Sequence, residues 1–161
     1  MEIKESYVRY IVIGMIIVIM LGFGYAHIAG KKQDEQYLKS YNQFNQAVQL
    51  IANNQFLEAK PLLKEIERKH PNSALVKHYL GLALANTGEL KPAITKMKAA
   101  LDLNPYLAEN PIFMLQFAEI LTFAGEKKEA QLVLERCKTL SPPANIPDYQ
   151  QKVDALIQET L

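Results

Sequence analysis

Tryptophan is absent from the 161 residues, and there is one cysteine, Cys137. A single thiol excludes an intramolecular disulfide and any cysteine-rich metal site built within one chain. An excess of charge of one sign is also missing. A formal net charge of +1 leaves no global field that would select nucleic acid or an acidic partner. Histidine is scarce: His27, His70 and His78. No two of them have the i, i+4 spacing of a helical metal site, and His-Glu-x-x-His does not occur. There is no glycine-rich phosphate loop. His70 precedes Pro71 at a helix end, where a cation complements the dipole. Cys137 falls on a core-facing position, which favours burial over nucleophilic use. Glu65, Glu67, Arg68 and Lys69 read as a solvated charged face. The residues therefore point to no catalytic group, no metal site and no cofactor, and to a protein that is not an enzyme.

What is present divides in two. From Tyr10 to Ala29 no side chain carries a formal charge. Twenty helical residues reach about 30 Å, the thickness of a bilayer's hydrocarbon core. Arg9 closes one end of the run, and Lys31 with Lys32 the other. Tyr7, Tyr10 and Tyr25 lie near the ends, where amphipathic rings favour the interface. Residues 10–30 are thus expected to be a transmembrane anchor in contact with lipid, preceded by a tail at 1–9. His27 at its end is expected to reach toward headgroups. A cleaved signal peptide is the alternative: Lys4 and Arg9 supply a basic region, and Gly24-Tyr25-Ala26 supplies small residues at a cleavage site. Apolar character that persists through Ile28 and Ala29, beyond the usual signal-peptide core of about 7–15 residues, favours retention. The expected location is a single pass through the cell membrane. Basic residues near the two ends almost balance. Lys4, Arg9 and the terminal amine lean toward an internal N-terminus and an extracytoplasmic domain, whereas Lys31 and Lys32 argue the reverse.

The remainder repeats itself. Pro71, Pro105 and Pro142 are 34 and 37 residues apart, and Ala59, Ala93 and Ala130 keep the same intervals, as do Leu63, Met97 and Leu134. The middle copy is clearest. Tyr79-Leu80-Gly81-Leu82-Ala83-Leu84 leads to Thr87-Gly88-Glu89, then to Ala93, Met97, Ala100 and Pro105. Each copy reads as two helices with small residues at their contact. Gly88, Gly125 and Asn54 stand between the helices, where positive φ ends a helix at little cost. The prolines follow each second helix because proline cannot continue it. The copies fall at 40–73, 74–107 and 111–144. The longer interval is absorbed at Ala108-Glu109-Asn110, after which Asn110 and Pro111 read as N-cap and first helical residue. Residues 31–39, without proline or glycine, favour a helical link. In the final stretch, 145–161, Tyr149, Val153, Leu156 and Ile157 form one apolar stripe on a helix, as expected of a cap over the last open face.

This order of a Leu-Gly pair, a later alanine, a large apolar residue and a closing proline, with a period of about 34 residues, resembles the tetratricopeptide-repeat (TPR) family. The resemblance covers about two-thirds of the chain and rests on the pattern recurring three times. Departures are modest: the family's first-helix aromatic is replaced by Gln43, Lys77 and Met114, and Ala47 and Ala118 stand where the middle copy has Gly81. It implies an all-α fold: a transmembrane helix, an α-solenoid of three helix-turn-helix repeats, and a capping helix. In the family, partners lie in a concave groove lined by the first helix of each repeat. Carried over, the groove positions hold Ile51, Ala52, Ala85, Asn86 and Thr122 together with the ten expected to bind the partner: Tyr41, Phe44 and Val48; Leu75, His78 and Leu82; and Ile112, Leu115, Glu119 and Phe123. The lysine, asparagine and arginine of the family's carboxylate clamp are replaced by Phe44, Val48, Tyr79, Ile112 and Gln116, so capture of chaperone tails is not implied. The expected partner is another protein, offering an apolar peptide or amphipathic helix to this apolar strip. Two alternatives remain: a structural membrane protein that self-associates through the same strip as a homo-oligomer, and a secreted repeat protein if the N-terminal segment is removed.

Overall fold

The structure is a computed structural model that describes residues 5–161, except the side chains at 5–9, 24, 28, 29 and 33. Lys4 lies outside the described residues, and Tyr7 and Arg9 outside the described side chains. Among the described residues there are seven α-helices and no strand. Helix α1 covers Glu5–Ala52, α2 Phe56–Lys69, α3 Ala74–Asn86, α4 Leu90–Leu103, α5 Pro111–Phe123, α6 Lys127–Thr139 and α7 Tyr149–Thr160, with a short 3₁₀ helix at Pro105–Glu109. The chain forms two compact units, Met1–Asn42 and Gln43–Leu161.

In the first unit the apolar run is helical throughout and its described side chains from Tyr10 to Phe23 are exposed. The helix is long enough, and apolar enough at a mean hydropathy of 2.3, to cross a membrane. Residues 31–39 continue the same helix.

The second unit is an array of helical hairpins, and the same turn closes each one. Asn54, Gly88 and Gly125 have φ of 61°, 83° and 74°. The next residue along then donates its N–H five residues back: Gln55 to Leu50 O at 2.8 Å, Glu89 to Leu84 O at 2.9 Å and Glu126 to Leu121 O at 3.0 Å. This is the Schellman closure, which satisfies carbonyls left over at a helix end. The starts of α3 and α5 are capped by side chains. Ser73 Oγ accepts from the Val76 N–H, and Asn110 Oδ1 accepts from the N–H groups of Ile112 and Phe113, while Pro111 needs no donor at the first helical position. The interval between α4 and α5 is taken up by the 3₁₀ helix, whose first N–H bonds are met by Asn104 Oδ1 accepting from Tyr106.

The core lies between the paired helices. Ala59, Leu63 and Ile66 bury one stripe of α2, and Ala93, Met97 and Ala100 the matching stripe of α4. A Cβ on Gly81 would stand 2.9 Å from Met97 Sδ, so the glycine sets how closely α3 approaches α4. Helix α5 buries Phe113, Met114, Phe117, Ala118 and Leu121, and α6 buries Ala130, Leu134 and Cys137. Helix α7 covers the last face with Tyr149, Val153 and Leu156. Both its ends are tied to α6: Tyr149 Oη donates to Cys137 O at 3.2 Å, and Gln131 Nε2 donates to Thr160 O at 3.1 Å. Burial pushes the Cys137 thiol above its ordinary range, consistent with a packing role.

One expectation is corrected. Glu67 does not sit on a solvated face. Its side chain is 16% exposed and accepts from Lys77 of α3 at 3.0 Å and Lys96 of α4 at 2.6 Å. Burial alone would raise its carboxyl, but the hydrogen bonds and charges of Lys96 and Lys77 outweigh this and hold it below the usual range. One carboxylate thus ties three helices at the junction of repeats one and two.

Candidate protein-binding cleft

The first helices of repeats two and three, α3 and α5, stand side by side in the second unit. Aromatic and polar contacts join them at one level. His78 donates from Nε2 to Gln116 Oε1 at 2.8 Å. Its ring packs edge-on against Phe113, centroids 4.9 Å apart, and lies 5.2 Å from the Tyr79 ring. Phe44 meets Tyr79 edge to face at 5.4 Å. Burial lowers the His78 pKa, and the Gln116 contact opposes this only in part. His78 is therefore a neutral packing residue at neutral pH, engaged with its neighbour.

One turn further along, the two helices part. A cleft of about 400 Å³ opens there. One wall is Leu82, Ala85 and Asn86 of α3, with Gly88 from the turn that follows and Leu90 from the start of α4. The other is Gln116, Glu119, Ile120 and Phe123 of α5. Asn86 Nδ2 donates to Leu82 O at 2.9 Å. Glu119 is half-buried, and burial raises its carboxyl above the usual range, against the weaker opposing charge of Lys152. Phe123 stands at the rim, 75% exposed. Among the described residues no group of three or more His, Cys, Asp or Glu side chains could hold a metal ion.

The ten expected groove residues do not form one open strip. Leu75 is 53% exposed and Phe123 more so, whereas Leu82 is 9% and Leu115 3% exposed. The expected continuous apolar surface is corrected at these two positions. Leu115 belongs to the core cluster and offers nothing to solvent. Leu82 is also core and shows only an edge to the cleft. Phe44, Val48, His78, Ile112 and Glu119 are half-buried. Tyr41 is exposed, but it belongs to the first unit. The cleft gathers Leu82, Glu119 and Phe123 from that set, with Ala85 and Asn86 from the other groove positions, and adds residues not marked for it. Gln116 and Ile120 lie on the same face of α5 as Glu119 and Phe123, with Ile120 buried beneath it, so a finer helical projection could have found them. Gly88 and Leu90 come from the turn and the next helix, which a reading confined to first helices omits.

The fold is all-helical and TPR-like. The chain is similar in structure to the TPR2B domain of yeast Sti1, solved as a complex with pHsp70, with a TM-score of 0.62 and 16% identity over 76% of this chain and 96% of that one. It is also similar to the type III secretion chaperone SycD of Yersinia enterocolitica, solved with a peptide of the translocator YopD, with a TM-score of 0.62 and 15% identity over 74% of this chain and 90% of that one. At such identities the likeness is one of fold. No protein-family model matches the chain, and no curated protein matches it in sequence.

Proposed function

We propose that this chain is a membrane-anchored protein-interaction module, whose repeats receive an apolar or amphipathic helical segment of a partner protein at the cleft between α3 and α5. The observation that carries this reading is the cleft itself: a concave gap between two first helices, mostly apolar, with a large exposed ring at its rim. Apolar surface kept open beside a packed core marks interaction sites. The two similar structures, each holding a partner, add support by analogy of fold. Anchoring rests on a separate observation. Apolar side chains from Tyr10 to Phe23 are exposed on every side of a helix long enough to span a bilayer.

A photoreactive amino acid at Phe123, in native membranes, tests the reading against the same probe at Leu132. Both positions are exposed to a similar degree, and Leu132 lies on α6, away from the cleft lining. Adducts with another protein formed from position 123 and not from 132 are expected. Adducts only with a second copy of the chain favour the self-associating alternative, and no adduct at 123 overturns the assignment. Protease access on intact cells reports on which side the repeats lie, with digestion expected from the extracytoplasmic side.

A further inference from the structure

The cleft holds one ionisable side chain among its lining residues, Glu119. No hydrogen bond or ion pair joins it to another described residue. The charge that acts on it is Lys152 of α7, and that lysine is 3.5 Å from Asp148 on its own helix. Glu119 is therefore a half-buried carboxylate without a direct partner in a mostly apolar gap. One amide acceptor also stands free on the facing wall. Asn86 uses its Nδ2 on the Leu82 carbonyl, and among the described residues no donor reaches its Oδ1. The Gln116 amide oxygen is occupied by His78, which leaves Gln116 Nε2 as a donor, so the acceptors for a cation are Glu119 and Asn86 Oδ1.

We propose that the cleft selects a partner helix that carries a lysine or arginine among its apolar anchors, the cation lodging against Glu119 and the Asn86 amide oxygen. The inference rests on the reading of this cleft as the partner groove and names the chemistry of what enters it. A fully apolar helix laid over the cleft removes water from Glu119 and leaves a buried charge unpaired, which is strongly unfavourable. An acidic residue there adds like-charge repulsion. A cationic side chain reverses both. Its aliphatic stem packs on Leu82, Ile120 and Phe123 while its head meets the carboxylate. The Phe123 ring is open to a cation–π contact as well. Loss of water around Glu119 in the free protein, which already raises its carboxyl, means that part of the desolvation is met before the partner arrives.

The test is a selection on the full chain in detergent micelles, using a displayed library of amphipathic helices about four turns long with one face randomised. Wild type is expected to enrich helices with Lys or Arg at one position between apolar residues. An enriched lysine peptide is expected to bind wild type roughly tenfold more tightly than its norleucine twin. Glu119→Gln is expected to erase that difference, and Glu119→Lys to shift the enriched residue to Asp or Glu. The peptide swap needs no protein variant, so the outcome stands even where a substitution perturbs folding. Enrichment of apolar helices with no basic preference, lost in Phe123→Asp, overturns this inference and leaves the groove reading intact. No enrichment, or enrichment indifferent to Phe123→Asp, overturns both.

Discussion

Two helical stretches of this protein are rich in the same side chains and use them in opposite ways. Between Tyr10 and Phe23, isoleucine, valine, methionine and leucine are exposed all round. In α5, seven of thirteen residues are buried, Phe113, Phe117 and Leu121 among them. The difference does not lie in how apolar each stretch is. Helix α5 is too short to span a hydrocarbon core, which takes about 20 residues, and it has α6 on one side and α7 on another to receive its faces. The first stretch has the length, lacks a polar face, and has its apolar side chains uncovered. Apolar content identifies a helix that must be covered; length and neighbours decide whether protein or lipid covers it.

The contrast can be broken most forcefully in the first unit. On the proposed anchoring, arginine at both Ile13 and Ile17 is expected to release the chain from the membrane fraction, since each charge near mid-bilayer would cost about 3 kcal/mol. The melting temperature of the repeats is expected to stay where it was. A parallel fall in melting temperature would mean that this stretch belongs to the soluble core, and the contrast would collapse. Next in size is Phe113→Ala, which removes a buried ring and is expected to cost about 3–5 kcal/mol in denaturant unfolding, with membrane association untouched. Smaller is Tyr149→Phe. It removes one of the two donors to the Cys137 carbonyl, which keeps the Leu140 N–H, and is expected to cost about 1 kcal/mol, read as faster hydrogen exchange confined to α7.

The smallest effects concern two carboxylates of the second unit whose shifts run in opposite directions. Glu67 is held below the ordinary carboxylate range by its lysines against the opposing effect of burial. It binds fewer protons folded than unfolded there, so its contribution is present above the unfolded pKa and is lost as pH falls through the folded one. Glu119 is raised by burial. It holds its proton longer when folded, so stability declines as pH rises from the ordinary carboxylate range through the raised value. Glu67→Gln is expected to lower the melting temperature at neutral pH and to match wild type in strong acid. Glu119→Gln is expected to raise it at neutral pH, with the gain fading as pH falls. Melting curves across pH check both signs.

Much of the second unit was legible from spacing. Asn54, Gly88 and Gly125 mark the three turns because only a residue tolerant of positive φ completes the closure found there. Asn110 and Pro111 mark the start of α5 because a carboxamide acceptor and a missing donor suit a first turn. The α7 stripe is legible because three of its four apolar positions face one way and are buried. The cleft was legible only in part. Leu82 and Leu115 occupy groove positions by count, but a helix turned slightly about its axis carries them into the core. Glu67 looks like one more surface charge until α3 and α4 bring Lys77 and Lys96 to it. Gly88 and Leu90 enter the cleft from outside the helices that define it.

By itself the sequence determined the turns at Asn54, Gly88 and Gly125, the start of α5 and the apolar stripe of α7, because caps, turns and periodicity are local and depend on residues within a turn or two of one another. It also determined that one stretch is apolar on every side. Only the tertiary structure decided which apolar residues are core and which are rim, that one carboxylate gains two lysines while another stays without a direct partner in a cleft, and that turn residues line that cleft. Those outcomes depend on the rotation and separation of packed helices, set by the fit of side chains such as Gly81 against Met97 across the helix contact.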